Sequence, residues 1–141
     1  MKREIASKLS ELEKYARLLN GYSGCSVKEL GNDLTLRGAV ERYMQVAIEI
    51  VIEIGEMIIA GEGLRKPETY REVIEILGEG GVLEAGFAIK FAPAAGFRNI
   101  LVHRYGDIDV GELHRHLRSD IKDFDTFARQ VSSYLKKRGS W

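Results

Sequence analysis

Four side chains that can bind or activate a phosphate group lie close together in the sequence, at Arg98, Asn99, His103 and Tyr105. An arginine guanidinium forms paired hydrogen bonds with phosphate oxygens, and a histidine can accept or donate a proton near neutral pH. On a helix, Asn99 and His103 are one turn apart, and Arg98 lies about 7.5 Å from His103 along the axis. A long arginine side chain can span that distance, so both groups can contact one phosphate.

The same spacing has a structural interpretation that needs no ligand. The spacing fits a helix that lies at the edge of the core and ends in a polar turn. His103 is then close to the negative end of the helix dipole. From the spacing alone this interpretation is favoured, so the catalytic hypothesis needs support from the rest of the chain.

Other candidate sites have less support. Glu49, Glu53 and Glu56 share a narrow helical face, but a di-metal bundle also needs Glu-x-x-His pairs, and no histidine lies in this segment. We therefore expect no metal there, but a solvated or partner-facing acidic stripe. On a helix, His114 and His116 point about 200° apart and cannot bind one ion, so they are predicted to be surface residues.

The composition is typical of one globular domain spanning residues 1–141. The chain has 21 basic and 21 acidic residues, so its net charge is zero. This argues against nucleic-acid binding through a broad positively charged surface. Any such binding must use a local patch. The single cysteine, Cys25, excludes an internal disulfide, and nothing near it marks it as a nucleophile. With no long apolar run, the chain is expected to be cytoplasmic and without membrane contact.

Helices must position these side chains, because hydrophobic residues recur at three- and four-residue spacing through most of the chain. The pattern predicts long helices over residues 2–20, roughly 34–60 and about 110–137. Shorter helices are predicted after Ser26 and Thr69, where the sequence has the form of a capping box. Between Val46 and Ala60 the central helix is apolar almost all round, so it is predicted to form the core.

The segment that carries the four candidate side chains is predicted to be helical as well. Residues 82–92 and 94–105 are predicted as two helices that are broken around Pro93. No segment alternates convincingly between polar and apolar residues. The sequence therefore predicts an all-α fold, an antiparallel helical bundle with short connections.

Residues Arg98 to Tyr105 have the pattern R-x4-H-x-Y, with the polar Asn99 directly after the arginine. This pattern resembles the motif of the HEPN superfamily and is similar to that of its HepT-like toxin branch. The likeness extends over essentially the whole chain, which has an N-terminal amphipathic helix, a long central apolar helix, the motif late in another helix, and a closing helix. A helical bundle of HEPN type is therefore expected.

The resemblance implies a metal-independent endoribonuclease of a toxin–antitoxin pair, acting on RNA as a homodimer and needing no cofactor. By this resemblance, Arg98 and His103 would be catalytic and Asn99 would support them. The expected antitoxin is a minimal nucleotidyltransferase, which would silence the toxin by transferring AMP to Tyr105. Metal-free RNA cleavage needs a base, an acid and positive charge at the phosphate, and these residue types can supply all three.

Three alternatives stay open at this point. The chain is either such a toxin, or a non-catalytic member of the same fold that binds RNA, nucleotides or a nucleotidyltransferase, or an unrelated helical module with an accidental motif. Tyr105 is expected to present its hydroxyl to solvent and to a partner enzyme, although a tyrosine can also pack at the edge of a bundle. The dimer interface is expected to include the end of the 94–105 helix and part of the central helix.

Overall fold

The structure, a computed structural model, describes residues 1–139, and residues 140 and 141 of the predicted domain lie outside this range. The described residues form α1 (Lys2–Asn20), α2 (Val27–Asn32), α3 (Leu34–Glu62), α4 (Tyr70–Glu79), α5 (Ala85–His103) and α6 (Val110–Arg138). They contain no strand, so the predicted all-α class is confirmed. Within the same range, no helix is both long enough and apolar enough to cross a membrane.

Helix α3 is the centre of the bundle and contacts each of the other five helices. Its antiparallel packing against α5 follows from two contacts, because Arg98 hydrogen-bonds Glu49 while Gly106, just after α5, hydrogen-bonds the earlier residue Glu41. Its apolar surface is buried within the chain, and Ile54 and Ile58 have no exposed area. The prediction that this helix forms the core is confirmed.

The two predicted capping boxes differ in the structure. Ser26 accepts a hydrogen bond from the Glu29 amide, and the Glu29 carboxylate accepts one from the Ser26 amide, both at 3.0 Å. This box is complete and opens α2. At α4, Thr69 caps the Glu72 amide at 3.1 Å, but the Glu72 carboxylate accepts from the Glu68 amide and not from Thr69. The second box is therefore only half formed.

The predicted break at Pro93 is wrong, because α5 continues through it from Ala85 to His103. A proline inside a helix removes the hydrogen bond to the carbonyl four residues earlier, here that of Ile89. Both Pro93 and Ile89 lie on the exposed side of α5, where water can bond to that carbonyl. The opposite face carries Phe87 and Phe91, both buried, and their packing holds the helix together.

Two glycines let α4 approach its neighbours closely. A Cβ atom on Gly55 of α3 would lie 2.4 Å from Cγ1 of Val73, and one on Gly78 of α4 would lie 2.5 Å from Cβ of Ala88. Neither distance is compatible with a side chain at the glycine. Helix α4 therefore fits tightly between α3 and α5, which brings its first residue, Tyr70, against the motif segment of α5.

Candidate active site

Three of the four candidate side chains lie on the last turns of α5. Leu101 faces the core on this segment, whereas Asn99 and His103 are exposed and one turn apart. The Arg98 side chain is 24% exposed, so it is mostly covered but still borders solvent. Arg98 and His103 are therefore both at least partly accessible.

The Arg98 guanidinium is oriented by groups from three helices. Its Nε donates to Oε2 of Glu49 on α3 at 3.2 Å, and its Nη1 donates to Oδ1 of the neighbouring Asn99 at 3.4 Å. The guanidinium carbon lies 5.0 Å from the centre of the Tyr70 ring, a favourable cation–π arrangement. These contacts fix the plane of the guanidinium before any ligand arrives.

This arrangement leaves donors of Arg98 available for a ligand. A guanidinium carries five N–H groups, and Glu49 and Asn99 occupy one each. Within residues 1–139, Nη2 of Arg98 has no hydrogen-bond partner, and neither ring nitrogen of His103 has one. The exposed end of α5 therefore presents a fixed cation and an uncommitted imidazole.

Tyr105 lies outside the helix, where the sequence predicted it to be the last helical residue. Helix α5 ends at His103, and the chain then makes a turn in which the Asp107 amide donates to the Arg104 carbonyl at 2.8 Å. Gly106 has φ of 80°, the left-handed conformation that glycine adopts most readily. Tyr105 is 69% exposed, so the expectation that it presents its hydroxyl to solvent is confirmed.

The acidic stripe on α3 is exposed at Glu53 and Glu56, as expected of a solvated face, but two of its three carboxylates are paired within the chain. Glu49 binds Arg98, and Glu53 forms an ion pair with Lys8 of α1. Glu56 alone of the three carboxylates is exposed and without an ion pair among the described residues. No group of three potential metal ligands occurs within residues 1–139.

The sequence predicts that the two histidines of α6 are surface residues, but the structure shows both half-buried and hydrogen-bonded. His114 Nε2 lies 2.9 Å from the Cys25 carbonyl oxygen, and His116 Nδ1 lies 2.9 Å from Asp120. The His116 ring also stacks on Phe97 with centroids 3.9 Å apart. Both residues are half-buried and tie α6 to its neighbours.

Cys25 lies in the turn before α2, and its surroundings are unsuited to a nucleophile. Burial and, to a smaller extent, the charge of Glu29 raise the pKa of its thiol. A raised pKa lowers the fraction of reactive thiolate at neutral pH. Among the candidates weighed, only the cluster around Arg98 and His103 combines charge, exposure and fixed geometry.

A family model described as "Ribonuclease HepT-like" matches residues 12–131, most of the chain. The chain belongs to this family. One HepT-like relative is the tRNA nuclease HepT of Aphanizomenon flos-aquae, which is 27% identical over 131 residues, covering 93% of this chain and 89% of the relative.

Solved structures share the HepT-like fold. The cytosolic protein YutE of Bacillus subtilis superposes with a TM-score of 0.85 at 22% identity, covering 99% of this chain and 94% of YutE. A tri-AMPylated HEPN toxin of Shewanella oneidensis was solved in complex with an MNT antitoxin. It superposes with a TM-score of 0.79 at 19% identity, covering 92% of this chain and 96% of the matched chain. The predicted bundle of HEPN type is confirmed.

Sequence reasoning missed the residues that orient the arginine of this HepT-like motif. The sequence places Glu49 in an acidic stripe that is predicted to be solvated or to face a partner, and it assigns no role to Tyr70. A carboxylate in an otherwise apolar stretch of α3 was a usable signal, since a half-buried charge needs a partner. The position of Tyr70 carried no such signal, because it depends on how α4 packs against α5.

Proposed function

We propose that this HepT-like chain is a metal-independent endoribonuclease, the toxin of a toxin–antitoxin pair, with Arg98 and His103 as its catalytic residues. The observation that carries the proposal is the oriented Arg98 guanidinium, with open N–H groups, on the same exposed helix end as an unpaired His103. The family and the names of its relatives support ribonuclease activity.

The chemistry is an internal displacement at phosphorus. The ribose 2′ oxygen loses its proton to a base and attacks the phosphorus, the bond to the 5′ oxygen breaks, and that oxygen receives a proton from an acid. Arg98 stabilises the negative charge that builds on the non-bridging oxygens, a role that its fork of N–H groups suits. His103 serves as the base or the acid, and Asn99 supports Arg98 through its contact with Nη1.

The proposed active form is a homodimer. Two proton transfers need two groups, and each chain supplies one motif histidine. A cleft between two copies places the exposed ends of both α5 helices around one phosphodiester, so that one His103 acts as base and the other as acid. RNA is then the substrate, and no metal or cofactor takes part.

The proposed partner is a nucleotidyltransferase antitoxin that attaches AMP to Tyr105, in the cytoplasm where the RNA is found. Tyr105 is exposed and two residues from His103, so an attached nucleotide puts a bulky anion where the substrate phosphate binds. The solved complex of an AMPylated HEPN toxin with its MNT antitoxin supports this assignment by its likeness in fold.

The test is RNA cleavage by the purified chain with a labelled RNA pool, with and without EDTA. We expect Arg98→Ala and His103→Ala each to lower the cleavage rate by about 10²-fold or more, and EDTA to have no effect. Arg17→Ala is the matched control, since Arg17 is an exposed arginine on α1 whose one ion-pair partner among residues 1–139 is Glu13, one turn away. Circular dichroism should show an unchanged helical fold in all three variants.

Other outcomes would decide against the proposal. Cleavage that persists in His103→Ala would remove the histidine from the mechanism. Cleavage that stops with EDTA would indicate a metal-dependent nuclease. A wild-type chain that binds RNA tightly but never cuts it would favour a non-catalytic role as an RNA- or nucleotide-binding partner.

A further inference from the structure

We propose that Arg37 and Glu41, on the first turns of α3, form a latch that positions the turn of residues 104–109, and with it the Tyr105 hydroxyl and the His103 imidazole. This inference rests on the proposed function, because it assigns a role in that site to two residues outside the motif. Arg37 and Glu41 are positioning residues, since neither belongs to the motif and both act through the turn.

Glu41 is the first part of the latch. Its side chain is only 3% exposed, and both carboxylate oxygens are in use. Oε2 accepts from Nε of Arg37 at 2.9 Å, and Oε1 accepts from the backbone amide of Gly106 at 3.3 Å. A buried carboxylate is costly unless it is paired and hydrogen-bonded, so its presence here calls for a specific reason.

Arg37 is the second part and reaches the far end of the same turn. While its Nε donates to Glu41, its Nη2 donates to the carbonyl of Ile108. Ile108 is buried in the core, which holds the chain where it leaves the turn for α6. The pair therefore bonds to the backbone of the turn at Gly106 and at Ile108, on both sides of the exposed Asp107.

The turn contains little else that would define its shape. Residues 104–107 are all exposed, and their one internal backbone hydrogen bond in the structure joins the Asp107 amide to the Arg104 carbonyl. Gly106 follows Tyr105 directly and has φ of 80°. This is only one of the many backbone conformations that an unconstrained glycine can adopt. The bond from Glu41 to the Gly106 amide selects this conformation, and so sets where the Tyr105 ring emerges.

A structural role alone does not explain this use of a buried ion pair. An apolar pair in the same place would pack α3 against the turn, and replacing buried ion pairs by apolar residues is often neutral or stabilising. Apolar side chains could not bond to a backbone amide and a backbone carbonyl at once. The latch thus fixes the turn in one conformation, which a modified tyrosine and a catalytic histidine both require.

The test uses Glu41→Gln, which keeps the size of the side chain but leaves one oxygen acceptor, so that it cannot accept from both Arg37 and the Gly106 amide. Arg37→Lys is the second variant, because an ammonium keeps the charge but lacks the fork that reaches Glu41 and Ile108 together. Glu53→Gln is the matched control, since it also removes one carboxylate charge from α3 but lies away from the turn and pairs with Lys8.

Two measurements report on the turn itself. Hydrogen exchange read by mass spectrometry follows the amides of residues 104–109, and limited trypsin digestion follows cleavage after the exposed Arg104. We expect both rates to rise at least tenfold in Glu41→Gln and Arg37→Lys and to stay at the wild-type value in Glu53→Gln. Exchange in the helical core of all variants shows whether they are folded.

Two further measurements report on function. We expect kcat for AMP transfer to Tyr105 and kcat for RNA cleavage to fall at least tenfold in both latch variants, with the KM for RNA changed less than threefold. A merely structural role would instead lower the fraction of folded protein and leave kcat per folded chain unchanged.

The latch is overturned if Glu41→Gln leaves exchange and digestion of the turn unchanged, or if the turn loosens while both kcat values stay at wild type. Failure of the proposed function is a different result, in which the wild-type chain itself neither cuts RNA nor accepts AMP. In that case the exchange and digestion rates decide whether the latch holds the turn.

Discussion

Arg98 shows how the residues of the motif depend on residues outside it. Its contact with Glu49 neutralises part of its charge, but the side chains of this pair are 24% and 31% exposed, so water screens the attraction. A substrate phosphate can therefore compete for the guanidinium without breaking a buried ion pair. The Tyr70 ring contacts the guanidinium as well, and it keeps the guanidinium plane in place while a phosphate replaces Glu49 as the hydrogen-bond partner.

Tyr105→Phe is the residue-scale prediction, because it removes only the acceptor of the proposed AMP transfer. The ring is exposed and the structure gives its hydroxyl no partner among residues 1–139, so loss of the oxygen should leave stability within about 0.5 kcal/mol of wild type. We expect the variant to cleave RNA and to gain no mass when incubated with the antitoxin and ATP, whereas the wild-type chain gains the mass of AMP.

The control for this measurement is Tyr22→Phe, a tyrosine that lies in the turn after α1 and stacks on Tyr43. It should accept AMP as the wild-type chain does, because Tyr105 is still present. Mass gain in Tyr105→Phe would show that another residue is modified. A wild-type chain that the antitoxin inhibits without any mass change would show inhibition by binding alone.

The sequence predicted the motif residues but not their environment. Arg98, His103 and Tyr105 could be found because their spacing matches a family pattern. The partners Glu49 and Glu41 lie 49 and 65 residues away in the chain from Arg98 and Gly106, so no local pattern connects them. Such contacts depend on how α3 and α5 pack, which periodicity does not define.

At the scale of elements, α4 matters because it delivers Tyr70 to the site. Its position depends on Gly55, where α3 has no side chain and Val73 of α4 fills the space. The periodicity of α3 predicted its length and its burial, but not which face would meet α4. Likewise, the sequence could not place the end of α5 at His103, since Arg104 and Tyr105 are compatible with one more helical turn.

Gly55→Ala is the element-scale prediction. The added methyl group would meet Cγ1 of Val73 at 2.4 Å, and overpacking of this kind costs about 1–3 kcal/mol. We expect a lower free energy of unfolding in urea, measured by circular dichroism, and slower RNA cleavage as Tyr70 moves away from Arg98.

Gly38→Ala provides the matched control for this experiment. Gly38 lies on the same helix and has an ordinary helical backbone, and none of the described residues comes within 4 Å of the position that its Cβ would take beyond the helix's own backbone. Alanine there should stabilise the chain by about 0.5–1 kcal/mol, since glycine is a poor helix former. If both substitutions stabilise the protein equally, α4 does not depend on the close approach at Gly55.

At the scale of the whole molecule, the packing of the bundle bears on whether the chain needs a second copy to bury its apolar surface. An apolar helix such as α3 can be buried inside one chain or between two, and here the other helices of the same chain cover it. Its hydrophobicity therefore gives no reason for a second copy. The remaining reason is chemical, because each chain carries one Arg98 and one His103 in the motif.

The prediction is a homodimer that is also the catalytic unit. Sedimentation equilibrium of the isolated chain at micromolar concentration should give twice the chain mass of 15.9 kDa. On dilution, the cleavage rate per chain should fall in parallel with the fraction of dimer, because a monomer holds only half of the groups that two proton transfers require. A monomer with an undiminished rate per chain would show instead that one His103 performs both transfers, or that a group outside the motif supplies the second.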